Sequence, residues 1–225
     1  MTPKMKWDHQ ISRLCSQASQ KLGMLRRNCY FVRDVRRGRT LYLTLVRSIF
    51  NHCVVVWRPT NVTLANKIES IQKKGIKWIL NEEEVSYADK TLYFRKCKEL
   101  KILPMNMRFD FCDLIMLHRI IRGYMPISLP NYISFFTGKS RLRFCHLDKL
   151  SLVSSIIPRT CAGQGTTTNA LANSFFYRSH LLWNKLPIEI RSIETISKFK
   201  VALEIHLFQK MYDSVNDNKI DSESE

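Results

Sequence analysis

The sequence predicts a mainly α-helical protein: a basic helical bundle, then a second helical region with a small irregular or two-stranded β element. Three observations predict it. Apolar residues recur at steps of three and four along most of the chain, the period of a helix with one buried face. Glycine is scarce, with seven in 225 residues, so tight turns are few. Strand-like alternation is confined to residues 132–157, where Leu150, Leu152, Ser154 and Ile156 alternate before Pro158.

The elements follow in order. Residues 8–27 place Ile11, Leu14, Cys15, Ala18, Leu22 and Leu25 on one helical face, with Asp8 as candidate cap and Arg26-Arg27 at the far end. Residues 28–40 set Arg33, Arg36, Arg37 and Arg39 against a single acid, Asp34, beside Tyr30 and Phe31. Leu41 to Leu80 reads as a helical hairpin. Leu41, Leu45, Ser48, Ile49 and His52 share a face of its first arm, and Cys53 to Trp57 is apolar all round. Arg58-Pro59 ends that arm, because the residue before a proline is pushed out of the helical region. Asn61 or Thr63 caps the second arm, whose stripe is Leu64, Ile68, Ile71, Gly75, Trp78 and Ile79. Lys67, Lys73, Lys74 and Lys77 lie mostly off that stripe.

An acidic link, Asn81 to Asp89, leads to a short helix over 90–100 aligned on Leu92, Lys96 and Leu100. Pro104 opens the next helix in its first turn, where a missing amide hydrogen costs nothing. Phe109, Cys112, Leu114, Ile115, Leu117, Ile120 and Ile121 cover most of it, and Gly123 ends it. Pro126 and Pro130 exclude a long helix beyond, and Tyr132–Phe136 and Leu150–Ile157 are the candidate strands. Arg141, Arg143 and Arg159 form a second basic cluster, and Cys161 to Asn169 reads as a loop. A helix over Ala170–Leu186 has Leu171, Phe175, Leu182 and Trp183 inside and stops at Pro187. Ile188–Ile193 connects it to a last helix, capped by Thr195 or Ser197 and carried to Tyr212 by Phe199, Leu203, Leu207 and Met211. The polar, acidic tail from Ser214 to Glu225 is expected to be disordered. The grouping expected is 1–89, 90–213 and 214–225.

Composition narrows the function. Apolar residues at 45 % and charged residues at 24 % suit a soluble globular protein. The net charge of +17 points to a polyanionic partner, nucleic acid before an acidic membrane. Residues 1–103 alone carry 21 Lys and Arg against 8 Asp and Glu. No apolar run reaches the roughly 18 residues of a membrane-spanning helix, and the N-terminus lacks the apolar core of a signal peptide. An intracellular protein of the nucleus or cytoplasm, without a membrane partner, is expected. Seven widely spaced cysteines (Cys15, Cys29, Cys53, Cys97, Cys112, Cys145 and Cys161) without a CxxC pair read as reduced core thiols.

Catalytic motifs do not assemble. Tyr87-Ala88-Asp89 evokes the aromatic-Ala-Asp-Asp box of polymerases, but Lys90 stands where the second metal-binding carboxylate belongs. The glycines of Cys161–Asn169 lack the spacing and the lysine of a phosphate-binding loop. His118 reads as a structural histidine. No catalytic residue, metal site or cofactor is expected.

Several blocks do resemble a known family. KWDHQI at Lys6–Ile11, KLGMLRR at Lys21–Arg27 and LYLTLVRSIFNHCVVVWRP at Leu41–Pro59 look like the region after the polymerase palm in non-LTR (LINE-type, jockey-like) retrotransposon reverse transcriptases. IESIQKKGIKWIL at Ile68–Leu80, LKILPMNMR at Leu100–Arg108, PRT at Pro158–Thr160, FFYRSHLLWNKLPIEIR at Phe175–Arg191 and FKVALEIHLF at Phe199–Phe208 continue it in the same order. The resemblance implies the thumb and the region that follows it, which grip RNA template and growing DNA. It implies RNA or an RNA–DNA hybrid as partner, together with the palm of the parent element. The palm with its metal-binding aspartates lies upstream of this stretch in the family. A truncated fragment of an RNA-directed DNA polymerase, inactive alone, is therefore expected. The alternative is a helical protein-interaction module, domesticated or relic.

On the nucleic-acid reading, the expected contacts are Arg26, Arg27, Arg33, Arg36, Arg37 and Arg39, with Lys73, Lys74 and Lys77 on a neighbouring helix. Tyr30 and Phe31 are candidates to stack on unpaired bases, with a core role for one of them as the alternative.

Overall fold

The computed structural model describes residues 7–32, 34–82, 86–136, 149–155 and 173–222, with side chains described as far as Asp213. Among these the protein is mainly helical, with one small antiparallel sheet. The elements are α1 (Asp8–Asn28), α2 (Val35–Tyr42), a π turn (Leu43–Arg47), α3 (Ser48–Asn51), α4 (Val54–Trp57), α5 (Val62–Leu80), α6 (Lys90–Glu99) and α7 (Met105–Ile121). Then come β1 (Ile133–Phe135), β2 (Leu152–Ser154), α8 (Phe175–Asn184), α9 (Ile188–Arg191) and α10 (Ile196–Ser222). The described residues divide into two compact units, one formed within 7–109 and 205–222 and the other within 110–204; these are the Lys6–Phe109 and Asp110–Glu204 units.

In the first unit α1 and α2 pack on α5. The six apolar positions expected on α1 are all buried. Asn61 caps α5 as expected, its Oδ1 accepting from Thr63 N at 2.8 Å. The expected stripe of α5 is buried from Ile68 onward, with Leu64 only half-buried. Gly75 is where α5 meets the ring of Tyr42, and a Cβ there would fall within 2.8 Å of Tyr42 Cζ.

The first arm of the hairpin differs from the expected single helix. The buried line is Tyr42, Val46 and Phe50, continued by Val54 and Trp57, while Leu45 and His52 are exposed. A strict four-residue step drifts around an α-helix, and the π turn at Leu43–Arg47 absorbs that drift by widening one turn. The arm then breaks at Cys53, which takes a left-handed φ of 51°. Trp57 Nε1 reaches back to donate to His52 O at 2.6 Å, satisfying a carbonyl orphaned by the break. On α6 the buried residues are Tyr93 and Cys97, leading to Leu100, in place of the expected Leu92–Lys96 line.

A buried polar cluster ties this unit together. Leu103 O accepts from Arg47 Nη2 at 2.9 Å and from Gln72 Nε2 at 3.0 Å. Gln72 Nε2 also donates to Tyr93 Oη, which in turn donates to Glu69 Oε1. Glu69 Oε2 accepts from Met105 N at 2.9 Å, so a carboxylate from α5 takes an orphan amide of the first turn of α7. Burial pushes the Glu69 carboxyl above the usual carboxylate range, against the bonds from Tyr93 and Met105 that favour its charged form.

In the second unit β1 and β2 pair antiparallel with Ser134 opposite Val153, within the two expected strand segments. The end of α8 supplies what β2 lacks. Asn184 Oδ1 accepts from Leu152 N at 2.9 Å while its Nδ2 donates to Leu152 O at 2.7 Å, imitating a neighbouring strand. Trp183 Nε1 donates to Leu150 O at 2.9 Å, and Arg191 Nη1 to Ser151 Oγ at 2.9 Å. Ile188–Arg191, expected as a connector, is a one-turn helix. Gly123 takes φ 71° after α7, and Tyr124 N closes the end by donating to Arg119 O. Phe199 and Leu203 in this unit, and Leu207 and Met211 in the first, are buried along α10 as expected. The helix runs to Ser222, past the expected stop at Tyr212, because no proline or glycine interrupts it.

His118 is structural. It is fully buried, stacks on Phe199 with centroids 4.1 Å apart, and lies with Nε2 2.8 Å from Ile193 O. A carbonyl only accepts, so Nε2 carries the proton. Nδ1 has no partner among the described residues, so a second proton there would be buried and unbonded. Burial accordingly holds the pKa below the ordinary imidazole value of 6.5, as it does for His180. The sign is fixed: above pH 6.5 both rings are neutral folded or unfolded. As pH falls through that value the unfolded chain takes up protons first. Stability of this unit is expected to decline as pH drops below about 6.5 and on through the lowered folded pKa values. Melting temperatures at pH 7.5 and 5 check this. His118→Gln should flatten part of the decline, and an unchanged slope in that variant would contradict the assignment.

Candidate nucleic-acid interface

The site grows from the way α1 hands the chain to α2. α1 ends in Arg26 and Arg27, and Cys29 N closes it by donating to Leu25 O at 2.8 Å. Val32 N then donates to Cys29 O at 3.1 Å, making a four-residue turn with Tyr30 and Phe31 at its centre. Both rings stand in solvent, Tyr30 79 % and Phe31 68 % exposed, so the core alternative is excluded for each. They touch edge to face, with centroids 5.8 Å apart and planes at 86°.

Asp34 starts the next helix, its Oδ1 accepting from Arg36 N at 2.9 Å. Counted in the sequence only as the lone acid among the arginines, Asp34 also carries an overlooked capping signal, an Asp just before the apolar Val35. The first turn of α2 then presents Arg36 and Arg37, both exposed. Arg37 approaches Asp34 at 3.5 Å, a solvent-exposed pair worth about 0–1 kcal/mol. Cations in the first turn oppose the helix dipole, so the dipole gives these arginines no part in stabilising α2. Arg27 and Lys74 are also exposed, and Arg26 is half-buried.

Three expected contacts are engaged within the fold instead. Arg39 donates from Nε to Leu100 O at 2.5 Å and from Nη2 to Lys101 O at 3.2 Å, capping the end of α6. Lys73 donates to Tyr87 O at 2.7 Å and sits 5.1 Å from the Tyr93 ring centroid. Lys77 lies 5.8 Å from the centroid of Tyr87. The two lysines hold the segment before α6 against α5. Arg33, Arg141, Arg143 and Arg159 lie outside the described residues.

The Tyr87-Ala88-Asp89 triplet has a structural role. Asp89 caps α6, accepting from Thr91 N at 2.9 Å and Leu92 N at 3.2 Å. Tyr87 is buried, donating to Glu82 Oε2 at 3.1 Å. The same carboxylate meets Lys96 Nζ at 2.6 Å, which holds Glu82 below the usual carboxylate range. Asp89→Ala is expected to cost about 0.5–2 kcal/mol, the range for a lost N-cap, read as a lower melting temperature. Among the described residues no three His, Cys, Asp or Glu side chains group to hold a metal ion.

Of the expected core thiols, Cys15 and Cys97 are buried and Cys29 and Cys112 half-buried. Cys53 is exposed because the left-handed break turns it outward. Among the described residues none of the five is in a disulfide, and Cys145 and Cys161 lie outside the described residues. Among the described residues no helix is long and apolar enough to cross a membrane.

Comparison with family models, with curated proteins and with solved structures finds no match.

Proposed function

We propose that this protein is a nucleic-acid-binding unit, derived from the thumb and post-polymerase region of a LINE-type reverse transcriptase, without catalysis of its own. The observation that carries the binding is the exposure of Arg27, Arg36 and Arg37 around one turn whose only described acid, Asp34, caps α2. The ordered sequence blocks from Lys6 to Phe208 support the origin. RNA or an RNA–DNA hybrid is the partner that origin favours, and a palm domain of the parent element is a second.

Phosphate contacts release counterions, so affinity should fall log-linearly with salt, with a slope of about −0.7 to −0.9 per phosphate neutralised. Replacing Arg27, Arg36, Arg37 and Lys74 by alanine should make that slope shallower by about three, one such increment per contact removed. Fluorescence anisotropy with a labelled primer–template hybrid from 50 to 200 mM salt reads it. The four side chains are exposed, so the fold should tolerate the change within about 0.5 kcal/mol each. A folded variant with parental affinity and slope places the site elsewhere. Binding that ignores salt favours an apolar partner and the interaction-module reading.

A further inference from the structure

We infer that the Tyr30–Phe31 turn is a stacking site for unpaired nucleobases, so that the protein prefers unpaired nucleotides over duplex. The inference rests on the nucleic-acid reading above and adds a ligand chemistry to it. Central turn positions favour Gly, Pro, Asn, Asp and Ser, which fit the backbone and stay solvated. Here a 3.1 Å turn bond from Val32 N to Cys29 O holds two aromatic residues at those positions, 79 % and 68 % exposed. Local preference and the hydrophobic effect both oppose that choice, and residues that break local rules mark function.

The surroundings say what covers the rings. Arg27 precedes the turn, and Arg36 and Arg37 follow it, all exposed. Exposed aromatic rings on a stretch of chain flanked by exposed arginines suit a ligand with flat rings on a polyanionic backbone. A paired base inside a duplex has both faces covered by its neighbours and cannot reach a side-chain ring. An unpaired base can.

The ring geometry narrows the ligand further. With planes at 86°, the two rings cannot both stack on consecutive bases that remain parallel. They fit nucleotides already splayed apart, as at a fork, a bulge or a strand end, with one base for each ring. The arginines then take the flanking phosphates, which position the strand without reading its sequence.

The test uses the full chain and three ligands of equal phosphate count: a single strand, a blunt duplex, and a duplex with a short single-stranded overhang, each as DNA and as RNA. The single strand and the overhang should bind more tightly than the blunt duplex. Stacking on an aromatic side chain contributes about 1–3 kcal/mol per base, equivalent to roughly 5- to 150-fold in affinity. Tyr30→Ala with Phe31→Ala should therefore weaken the two unpaired ligands by at least about 5-fold. Blunt-duplex affinity and the salt slope should stay put, since no phosphate contact is removed. Tyr30→Trp with Phe31→Trp should restore the preference. Equal weakening on all three ligands, or none on any, overturns the inference while leaving nucleic-acid binding intact. Absence of binding to every ligand by the parent chain removes both.

Discussion

Gly75→Ala is expected to destabilise the Lys6–Phe109 unit by about 3 kcal/mol or more, the upper end for overpacking a core. The new Cβ would lie 2.7 Å from Tyr42 Cδ2 and 2.8 Å from Tyr42 Cζ, distances no methyl group sustains. The ring cannot swing aside, because Tyr42 is fully buried. The remaining relief is to part α2 from α5, which loses packing along the whole contact. Alanine returns about 1 kcal/mol of helix propensity, too little to offset that. Gly38 is the control on the opposing helix. A Cβ there meets Ile79 Cα at an ordinary 3.7 Å, so Gly38→Ala should be neutral or slightly stabilising. Thermal melts of the two variants separate close approach from glycine content. Shrinking Tyr42 to leucine should rescue much of the Gly75→Ala loss. If both glycine variants melt with the parent, the α2–α5 packing described above is wrong.

What the sequence revealed is what neighbouring residues decide among themselves. Asn61 sits before an apolar stripe, Pro104 opens a helix, Gly123 closes one, and alternation at 150–156 marks a strand. Each is a local signal with a local cause, and each reappears in the structure over the residues it describes. The break at Cys53 was hidden because no glycine or proline announces it; it is fixed by Trp57 reaching back to His52 O. The shifted face of the first arm was hidden for a related reason. Leu41 and Leu45 fit an ideal helix as well as Tyr42, Val46 and Phe50 do, and only packing against α1 and α5 chooses the second line.

The candidate site was half legible on the same principle. Sequence can count arginines but cannot say which of them meet another part of the chain. Arg39 and Arg37 are two residues apart and alike in composition and context. One caps a helix end whose carbonyl is 61 residues away, and the other faces water. The exposure of Tyr30 and Phe31 was likewise open, since two aromatics after an amphipathic helix usually continue its core.

Arg178→Met carries the second large effect, in the Asp110–Glu204 unit. Arg178 holds Asp113 through Nε at 2.8 Å and Nη2 at 3.2 Å, and donates from Nη1 to Asn173 O at 2.7 Å. The Asp113 side chain is 1 % exposed and that of Arg178 is 16 % exposed. Removing the cation leaves a carboxylate with almost no water and without the opposite charge that Arg178 supplies. Breaking a buried pair from one side costs about 3–5 kcal/mol. The partial exposure of Arg178 puts this case near the lower figure, about 3 kcal/mol. For a unit of this size that corresponds to a drop in melting temperature of roughly 12–24 °C. Asp113→Leu alone should cost less, because the guanidinium it strands still reaches solvent. Combining Asp113→Leu with Arg178→Met should recover most of the loss, since an apolar pair of similar volume replaces a desolvated ion pair at little net cost. The interaction energy from that double-mutant cycle measures the pair directly. Additive losses, with no recovery in the double variant, would show that the two side chains act on stability through other neighbours.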